Sequence, residues 1–271
     1  MGADEDEIVA RLGGQMKGLH EYATTKAMGE RAVLEASKEG EDGEEPLSTC
    51  AVAPHQVYGP SDRLFLPALI RTAKKGALFV MGSGANHVSF THESNIAHAL
   101  TLAAGAMAAH VAWVRAGSPE ISESHARYAR ADEHTQGRLA ARVVGEYMVV
   151  TDSTEEYPAG MAINLWDAID DATSKAGLGS IRKGVRGFFK LPYYGLLLPI
   201  AQLGRLFTAL TGKFVNITPF TIRMLVIDRF FDIGKAYRLL GYTPLVTFRD
   251  PEGWEAAIDA AVARVRREDK W

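Results

Sequence analysis

Tyr22 and Lys26 stand close to the start of the chain, in the run Tyr-Ala-Thr-Thr-Lys, and residues 27–36 continue with the apolar spacing of a helix. Residues four apart on a helix share a face, so the pattern predicts that the two side chains project together. A tyrosine hydroxyl ordinarily ionises near pH ~10, and a neighbouring ammonium favours the phenolate. Tyr22 is therefore a candidate general base, although solvated surface pairs also have this spacing.

Several short segments follow this helix in a fixed order. They are the strand Leu47 to Ala53 ending at Pro54, Gln56-Val57-Tyr58-Gly59-Pro60, Gly82-Ser83-Gly84 leading to Thr91-His92 and Asn95, Gly145 to Asp152, Phe231 to Ala236, and Leu240 to Leu245. In this order and spacing they resemble the 3β-hydroxysteroid dehydrogenase/isomerase family of extended short-chain dehydrogenase/reductases. The resemblance is strongest to its sterol-4α-carboxylate 3-dehydrogenase (decarboxylating) branch, and it covers roughly residues 20 to 250.

The resemblance implies an α/β fold that is the C-terminal part of an extended short-chain dehydrogenase. We expect an incomplete Rossmann-type parallel sheet and a mainly helical substrate lobe. Residues 1–19 do not resemble the family, and residues 20–60 correspond to a remnant of the dinucleotide-binding domain. Residues 61–271 then form the substrate-binding and C-terminal region, with an insertion at 117–137. The sequence pattern also predicts helices over residues 64–75 and 94–115, short strands over residues 77–81 and 87–91, and a charged loop over residues 38–45.

The resemblance also implies the site. Tyr22 would be the proton-transferring tyrosine, and Lys26 would bind the nicotinamide ribose and lower the tyrosine pKa. Pro54, His55, Gln56 and Val57 would line the nicotinamide pocket of NAD or NADP.

The adenosine-pyrophosphate site of the cofactor is not found in the sequence. In the doubly wound fold a glycine-rich turn after a strand must open a helix whose N-terminus faces the pyrophosphate. Gly82-Ser83-Gly84 is followed by a predicted strand, which indicates a hairpin turn, and Gly177-Leu178-Gly179 follows a predicted helix, which indicates a helix stop. No serine precedes Tyr22. We therefore expect the chain as written to bind NAD(P)+ poorly and to be inactive.

Composition sets broad limits. Hydrophobic residues make up 47% of the chain, which is ample for a buried core. The single cysteine, Cys50, excludes an internal disulfide framework and is predicted to be a core residue. The net charge of −3 gives no reason to expect nucleic acid as a partner. His125 and His134 lack metal-ligand spacing, so no metal site is predicted.

Residues 188–210 form an apolar block, with fourteen residues without formal charge between Lys190 and Arg205. A helix of that length extends only ~21 Å, short of the ~30 Å hydrocarbon core, so it should not span a bilayer alone. Basic and aromatic residues before it are typical of an interfacial anchor. A buried hairpin of the substrate lobe fits the sequence equally well.

The resemblance favours the anchor, because enzymes of this family act on sterols and associate with endoplasmic-reticulum membranes. It implies location on the cytoplasmic face of that membrane, with the cytoplasm as the alternative, and a homodimer as a further expectation. It also implies oxidation of a sterol or steroid 3β-hydroxyl, with decarboxylation if the substrate is a 4α-carboxysterol. Two other interpretations stay open: another extended dehydrogenase, such as a sugar epimerase or dihydroflavonol-type reductase, and a non-catalytic remnant that binds membrane or a partner.

Overall fold

The computed structural model describes residues 21–37, 47–117, 142–153, 162–183, 195–196, 198–211 and 219–269. Its helices are α1 Glu21–Glu35, α2 Phe65–Lys74, α3 Glu93–Arg115, α4 Leu165–Lys175, α5 Leu198–Thr211, α6 Pro219–Met224, α7 Gly234–Leu240 and α8 Ala256–Glu268. Its strands are β1 Ala51–Pro54, β2 Val57–Tyr58, β3 His87–Val88, β4 Thr91–His92, β5 Tyr147–Val150 and β6 Ile163–Asn164.

The chain divides into two compact units. The first unit comprises residues 1–55, 93–160 and 231–246, and the second comprises residues 56–92, 161–230 and 247–271. Helices and parallel strand pairs occur together in the described residues, so the predicted α/β class is confirmed.

The first unit is built around β1 and β5, which pair in parallel with Ala51 opposite Tyr147 and Pro54 opposite Val150. Helices α1, α3 and α7 pack against this pair. The core beneath them is apolar and includes the side chains of Ala99, Met148, Val150, Ile233 and Tyr242. Because the two strands run in the same direction, their carboxyl ends meet at one edge of the pair.

The second unit has an aromatic core. The Tyr58 ring lies 5.8 Å from Phe90 and 5.6 Å from Trp254, centroid to centroid, and Trp254 stacks on Phe248 at 4.7 Å. Offset and edge-on ring pairs of this kind stabilise a core beyond the area that they bury. Strands β2 and β4 pair in parallel, and β3 pairs with β6 in antiparallel.

Most predicted elements are confirmed with small changes of boundary. The strand predicted over residues 47–53 is shorter and begins at Ala51, and the described residues 77–80 form no strand where one was predicted. The strand predicted over residues 87–91 is divided into β3 and β4. The charged loop at 38–45 and nearly all of the insertion at 117–137 lie outside the described residues.

Candidate functional site

The Tyr22 and Lys26 positions lie on α1, as the spacing predicts. The helix is continuous from Glu21 to Glu35, so the two positions are on one face, one turn apart. Lys26 is exposed, and the side chain of Tyr22 lies outside the described part of the structure. Helix α1 packs on β1, which connects the proposed catalytic helix to the strand that leads into Pro54 and His55.

Pro54 and His55 lie at the carboxyl edge of the β1–β5 pair. Pro54 is the last residue of β1 and is opposite Val150. The His55 ring packs against Phe231, with 4.8 Å between ring centroids. Ligands of open α/β sheets bind outside the carboxyl ends of the strands, so these two residues occupy the expected edge.

Gln56 and Val57 belong to the second unit. Gln56 has a backbone φ of 37°, the one positive value among the described residues that are not glycine. The left-handed region is costly for such a residue and is concentrated at functional turns. Val57 begins β2 and is opposite Thr91.

The carboxyl end of β5 contributes residues that sequence reasoning did not single out. Thr151, Asp152 and Ser153 follow β5 directly and are almost completely buried. The Thr151 Oγ1 and Ser153 Oγ atoms are 2.8 Å apart, and the Tyr242 hydroxyl donates to the Thr151 carbonyl at 3.0 Å. Burial, and then the charge of Asp152, raises the pKa of Tyr242 above its usual range, so this tyrosine stays protonated.

Asn95 joins this polar group from the first turn of α3. Its Nδ2 donates to Asp152 Oδ1 at 2.7 Å and to the Val246 carbonyl at 2.6 Å. The sequence contained two signals of this group: a polar asparagine at the start of an apolar helix and, far along the chain, an Asp after a buried strand. The sequence does not show that the two meet.

The Tyr-Gly-Pro-Ser-Asp run, which begins at the last residue of β2, has a structural role. Tyr58 is fully buried in the aromatic core. Asp62 caps α2, because its Oδ1 accepts from the backbone N–H groups of Leu64 and Phe65 at 2.8 and 3.0 Å, and its Oδ2 from that of Leu66 at 2.8 Å.

The hydroxyl residues after α1 also make local contacts. Ser48 Oγ lies 2.8 Å from His110 Nδ1, and the Thr49 hydroxyl donates to the Val33 carbonyl at 2.8 Å. Both precede β1 and therefore lie at its amino end, away from the edge where Pro54 lies, so we assign neither a catalytic role. Cys50 packs against the core of the first unit, and burial raises the pKa of its thiol, as expected of a core residue rather than a nucleophile.

The two glycine turns in the described residues have the local structure that the sequence predicts. Gly82 and Gly84 adopt positive φ in a turn that leads to β3, and Gly177 and Gly179 do so after α4 ends. Within the described ranges, neither glycine turn opens a helix after a strand. The same ranges contain no group of three or more His, Cys, Asp or Glu side chains that could hold a metal ion.

Comparison with known proteins gives a family and several relatives. The model of the 3-beta hydroxysteroid dehydrogenase/isomerase family matches residues 10–117. The 3beta-hydroxysteroid-dehydrogenase/decarboxylase isoform 1 of Arabidopsis thaliana is 30% identical over 244 residues, which is 88% of this chain and 45% of that protein. The decarboxylating sterol-4-alpha-carboxylate 3-dehydrogenase of Saccharomyces cerevisiae is 29% identical over 83% of this chain and 52% of its own. The chain spans about half of the length of these relatives.

A solved structure supports the fold. The UDP-glucuronic acid 4-epimerase of Bacillus cereus, in complex with UDP-glucuronic acid and NAD, matches 97% of this chain and 57% of its own with a TM-score of 0.50 and 17% identity. At that identity the match concerns the fold alone. The resemblance inferred from the sequence is confirmed by the relatives and by the family comparison, in which residues 10–117 of this chain match the model of the 3-beta hydroxysteroid dehydrogenase/isomerase family.

Proposed function

We propose that this chain supplies the catalytic helix and the substrate-binding region of an NAD(P)-dependent dehydrogenase that oxidises the 3β-hydroxyl of a sterol. The observation that carries the proposal is the placement of Tyr22 and Lys26 one turn apart on α1, within the segment that matches the family. The names of the relatives favour a 4α-carboxysterol as the substrate, with loss of the carboxylate after oxidation.

Each residue then has a defined task. Bound NAD(P)+ supplies a hydride acceptor for the C3 hydrogen. The Tyr22 phenolate takes the proton from the C3 hydroxyl, so that the carbonyl can form. Lys26, held on the same helix face, favours the phenolate by its positive charge and donates to the nicotinamide ribose. Pro54, His55, Gln56 and Val57 line the nicotinamide end of the pocket.

Loss of CO2 needs little further help from the protein. Oxidation at C3 converts a 4α-carboxylate into a β-keto acid. Such an acid loses CO2 readily, because the electrons of the breaking bond pass into the neighbouring ketone as an enolate. The required contribution of this chain is therefore alcohol oxidation and substrate orientation.

A turnover assay tests the proposal. The nucleotide-binding half of the yeast relative is placed before Glu21, and reduction of NAD+ and NADP+ is followed with a 4α-carboxysterol and with the matched sterol that lacks the carboxylate. We expect reduction with both sterols and CO2 release with the first only. Epimerisation of UDP-sugars without net reduction of NAD(P)+, together with no reaction of sterols, would favour the epimerase-like alternative. Absence of turnover in a folded protein that binds NAD(P)+ would contradict the proposal and leave the non-catalytic remnant.

We also propose that the apolar block at 188–210 lies on a lipid surface, at the cytoplasmic face of the endoplasmic reticulum. Helix α5 supports this. It packs against α6 through the buried Ala201, which meets Ile222. Large apolar side chains on its other side are exposed: Ile200, Leu203 (65% exposed), Leu206 (56%) and Phe207. An apolar stripe that faces solvent on an amphipathic helix is typical of interfacial association.

Two observations refine this proposal. Arg182 is one of the basic residues that precede the apolar block in the sequence, but its guanidinium donates to the Gly84 carbonyl at 2.8 Å and pairs with Asp167 at 2.6 Å. It therefore serves the fold of the second unit, and Lys183 is the exposed basic residue of the described flank. Among the described helices, α3 alone has the length and hydropathy to cross a membrane, a property that core helices of soluble proteins share.

Vesicle sedimentation tests the lipid contact. Changing Leu196, Leu203 and Leu206 together to Ser should release the chain from vesicles that contain anionic lipid. Each apolar side chain that enters the interface contributes on the order of 1.5–3 kcal/mol. The matched control changes three other exposed leucines, Leu64, Leu100 and Leu245, to Ser and should sediment like the unmodified chain. Equal release by both triple variants, or no sedimentation of the unmodified chain, would contradict the proposal.

A further inference from the structure

The strongest unassigned feature is the amide of Asn95, which is completely buried at the carboxyl edge of β5. Its two donated hydrogen bonds reach Asp152 Oδ1 and the Val246 carbonyl. Its Oδ1 accepts from the backbone N–H groups of Leu245 at 2.7 Å and Val246 at 3.1 Å. A side-chain amide has two donor hydrogens and two acceptor lone pairs, so every bonding position of Asn95 is used.

This arrangement also fixes which way the amide faces. Rotating it by half a turn would direct the NH2 group at two backbone N–H groups, which are donors as well. It would also direct Oδ1 at a carbonyl and a carboxylate, which are acceptors. As long as Asp152 is its partner, the position favours asparagine: aspartate cannot donate, and an apolar residue would leave the buried Asp152 without this donor.

The two segments that Asn95 joins come from distant parts of the chain. Asp152 lies two residues after β5, whose last residue is opposite Pro54. Leu245 and Val246 lie in a segment without helix or strand, and Leu245 is largely exposed. Tyr242 makes a second attachment of the same segment, through its hydroxyl and the Thr151 carbonyl. Asn95 thus holds an irregular segment and the end of β5 in one arrangement beside Pro54 and His55.

We infer that Asn95 is a positioning residue for the candidate site: it clamps residues 245–246 to the Thr151–Ser153 end of β5 and so fixes the wall of the first unit beside Pro54 and His55. This inference rests on the proposed function for the use of that wall. Asn95 acts through the residues that it holds and needs no contact with cofactor or substrate.

Hydrogen exchange in the full chain tests the clamp without any need for activity. The amides of Leu245 and Val246 lie outside regular structure, so their protection should depend on Asn95 Oδ1. Asn95→Ala removes this acceptor, whereas Asn95→Asp keeps it but replaces the donor to Asp152 with a second buried carboxylate, whose repulsion should pull the segment away; each variant should lower protection at 245–246 by about 10- to 100-fold. The double variant Asn95→Asp with Asp152→Asn reverses the amide–carboxylate pair and keeps both acceptor bonds to 245–246, so it should regain most of the protection.

Asn164→Asp is the matched control. Asn164 Oδ1 accepts from the backbone N–H groups of Trp166 and Asp167, both at 3.0 Å, and a carboxylate keeps both bonds. The same substitution there should leave exchange at 166–167 unchanged. Unprotected amides at 245–246 in the unmodified chain, or no rescue by the double variant, would overturn the clamp.

Turnover in the longer protein separates positioning from folding. Asn95→Asp should lower kcat/KM by about 10- to 100-fold, as misplacement of a site wall does, and the double variant should restore it. Unchanged turnover together with lost protection at 245–246 would overturn the positioning role. If the unmodified longer protein shows no turnover, the proposed function fails, and hydrogen exchange alone still supports or overturns the clamp.

Discussion

Replacing Tyr22 with Phe should abolish turnover in the longer protein that carries a nucleotide-binding half. The change removes one hydroxyl from α1 and leaves the helix intact, so the expected loss is that of the proton-transferring group. A positioned general base contributes about 10²- to 10⁴-fold to the rate. We therefore expect kcat to fall by at least the lower of these factors, measured by NAD(P)H formation, while titration calorimetry shows cofactor affinity almost unchanged.

The matched control is Tyr237→Phe. Tyr237 lies on α7 and is 39% exposed, and its loss of a hydroxyl should leave kcat unchanged. Lys26→Met tests the other residue of the pair. Loss of the ammonium should lower kcat and weaken cofactor binding together. Turnover that survives Tyr22→Phe at the unmodified rate would remove Tyr22 from the mechanism and, with it, the main support for a dehydrogenase.

Replacing Gly253 with Ala should destabilise the protein more than the same replacement at any other described glycine. A Cβ at this position would lie 2.2 Å from the Thr247 carbonyl oxygen and 3.3 Å from that of Phe248. Both are backbone atoms, so no side chain can rotate away. The adjacent Trp254 stacks on Phe248 in the aromatic core, and displacing it disturbs that core. We expect a loss of about 3 kcal/mol in the free energy of unfolding, measured in urea.

Gly105→Ala adds the same methyl group at a position that has room for it. Gly105 lies within α3, and a Cβ added there would have no side chain or distant backbone atom within 4 Å, so the methyl group meets open space. Alanine is favoured over glycine inside a helix by about 1 kcal/mol, and the variant should be more stable than the unmodified chain. A Gly253→Ala protein as stable as the unmodified chain would show that the backbone at 247–248 can move aside.

The helices were predictable because their signals are local. The apolar, alanine-rich run that predicts a helix from Ser94 to Arg115 forms one from Glu93 to Arg115. The helix predicted over residues 64–75 forms from Phe65 to Lys74, where Asp62 provides the cap. Spacing and capping act within a few residues, so a sequence read in order contains most of what determines them.

The strand limits and the buried polar group were not predictable in this way. Strand β1 is shorter than its apolar run, because pairing with β5 extends only from Ala51 to Pro54. Asn95 meets a backbone N–H group 150 positions later in the chain. The resemblance to a family supports a prediction of site residues, but the partners of Asn95 follow from tertiary contacts that no local pattern contains.

The order in which the first unit is assembled has a consequence for synthesis of the chain. Residue 54 pairs with residue 150, which lies 96 positions later, and the segment that Asn95 clamps ends at Val246. At about 5–20 residues per second, a ribosome needs roughly 10 to 40 s to pass from residue 54 to that point. Until residue 150 has been made, β1 lacks the strand with which it pairs, and until residue 246 has been made, Asn95 lacks the segment that it clamps, whereas α2 can form as soon as it is made. We therefore expect nascent chains arrested before Val246 to bind chaperones, and to be cut by proteases within the first unit, more readily than chains that extend beyond Val246.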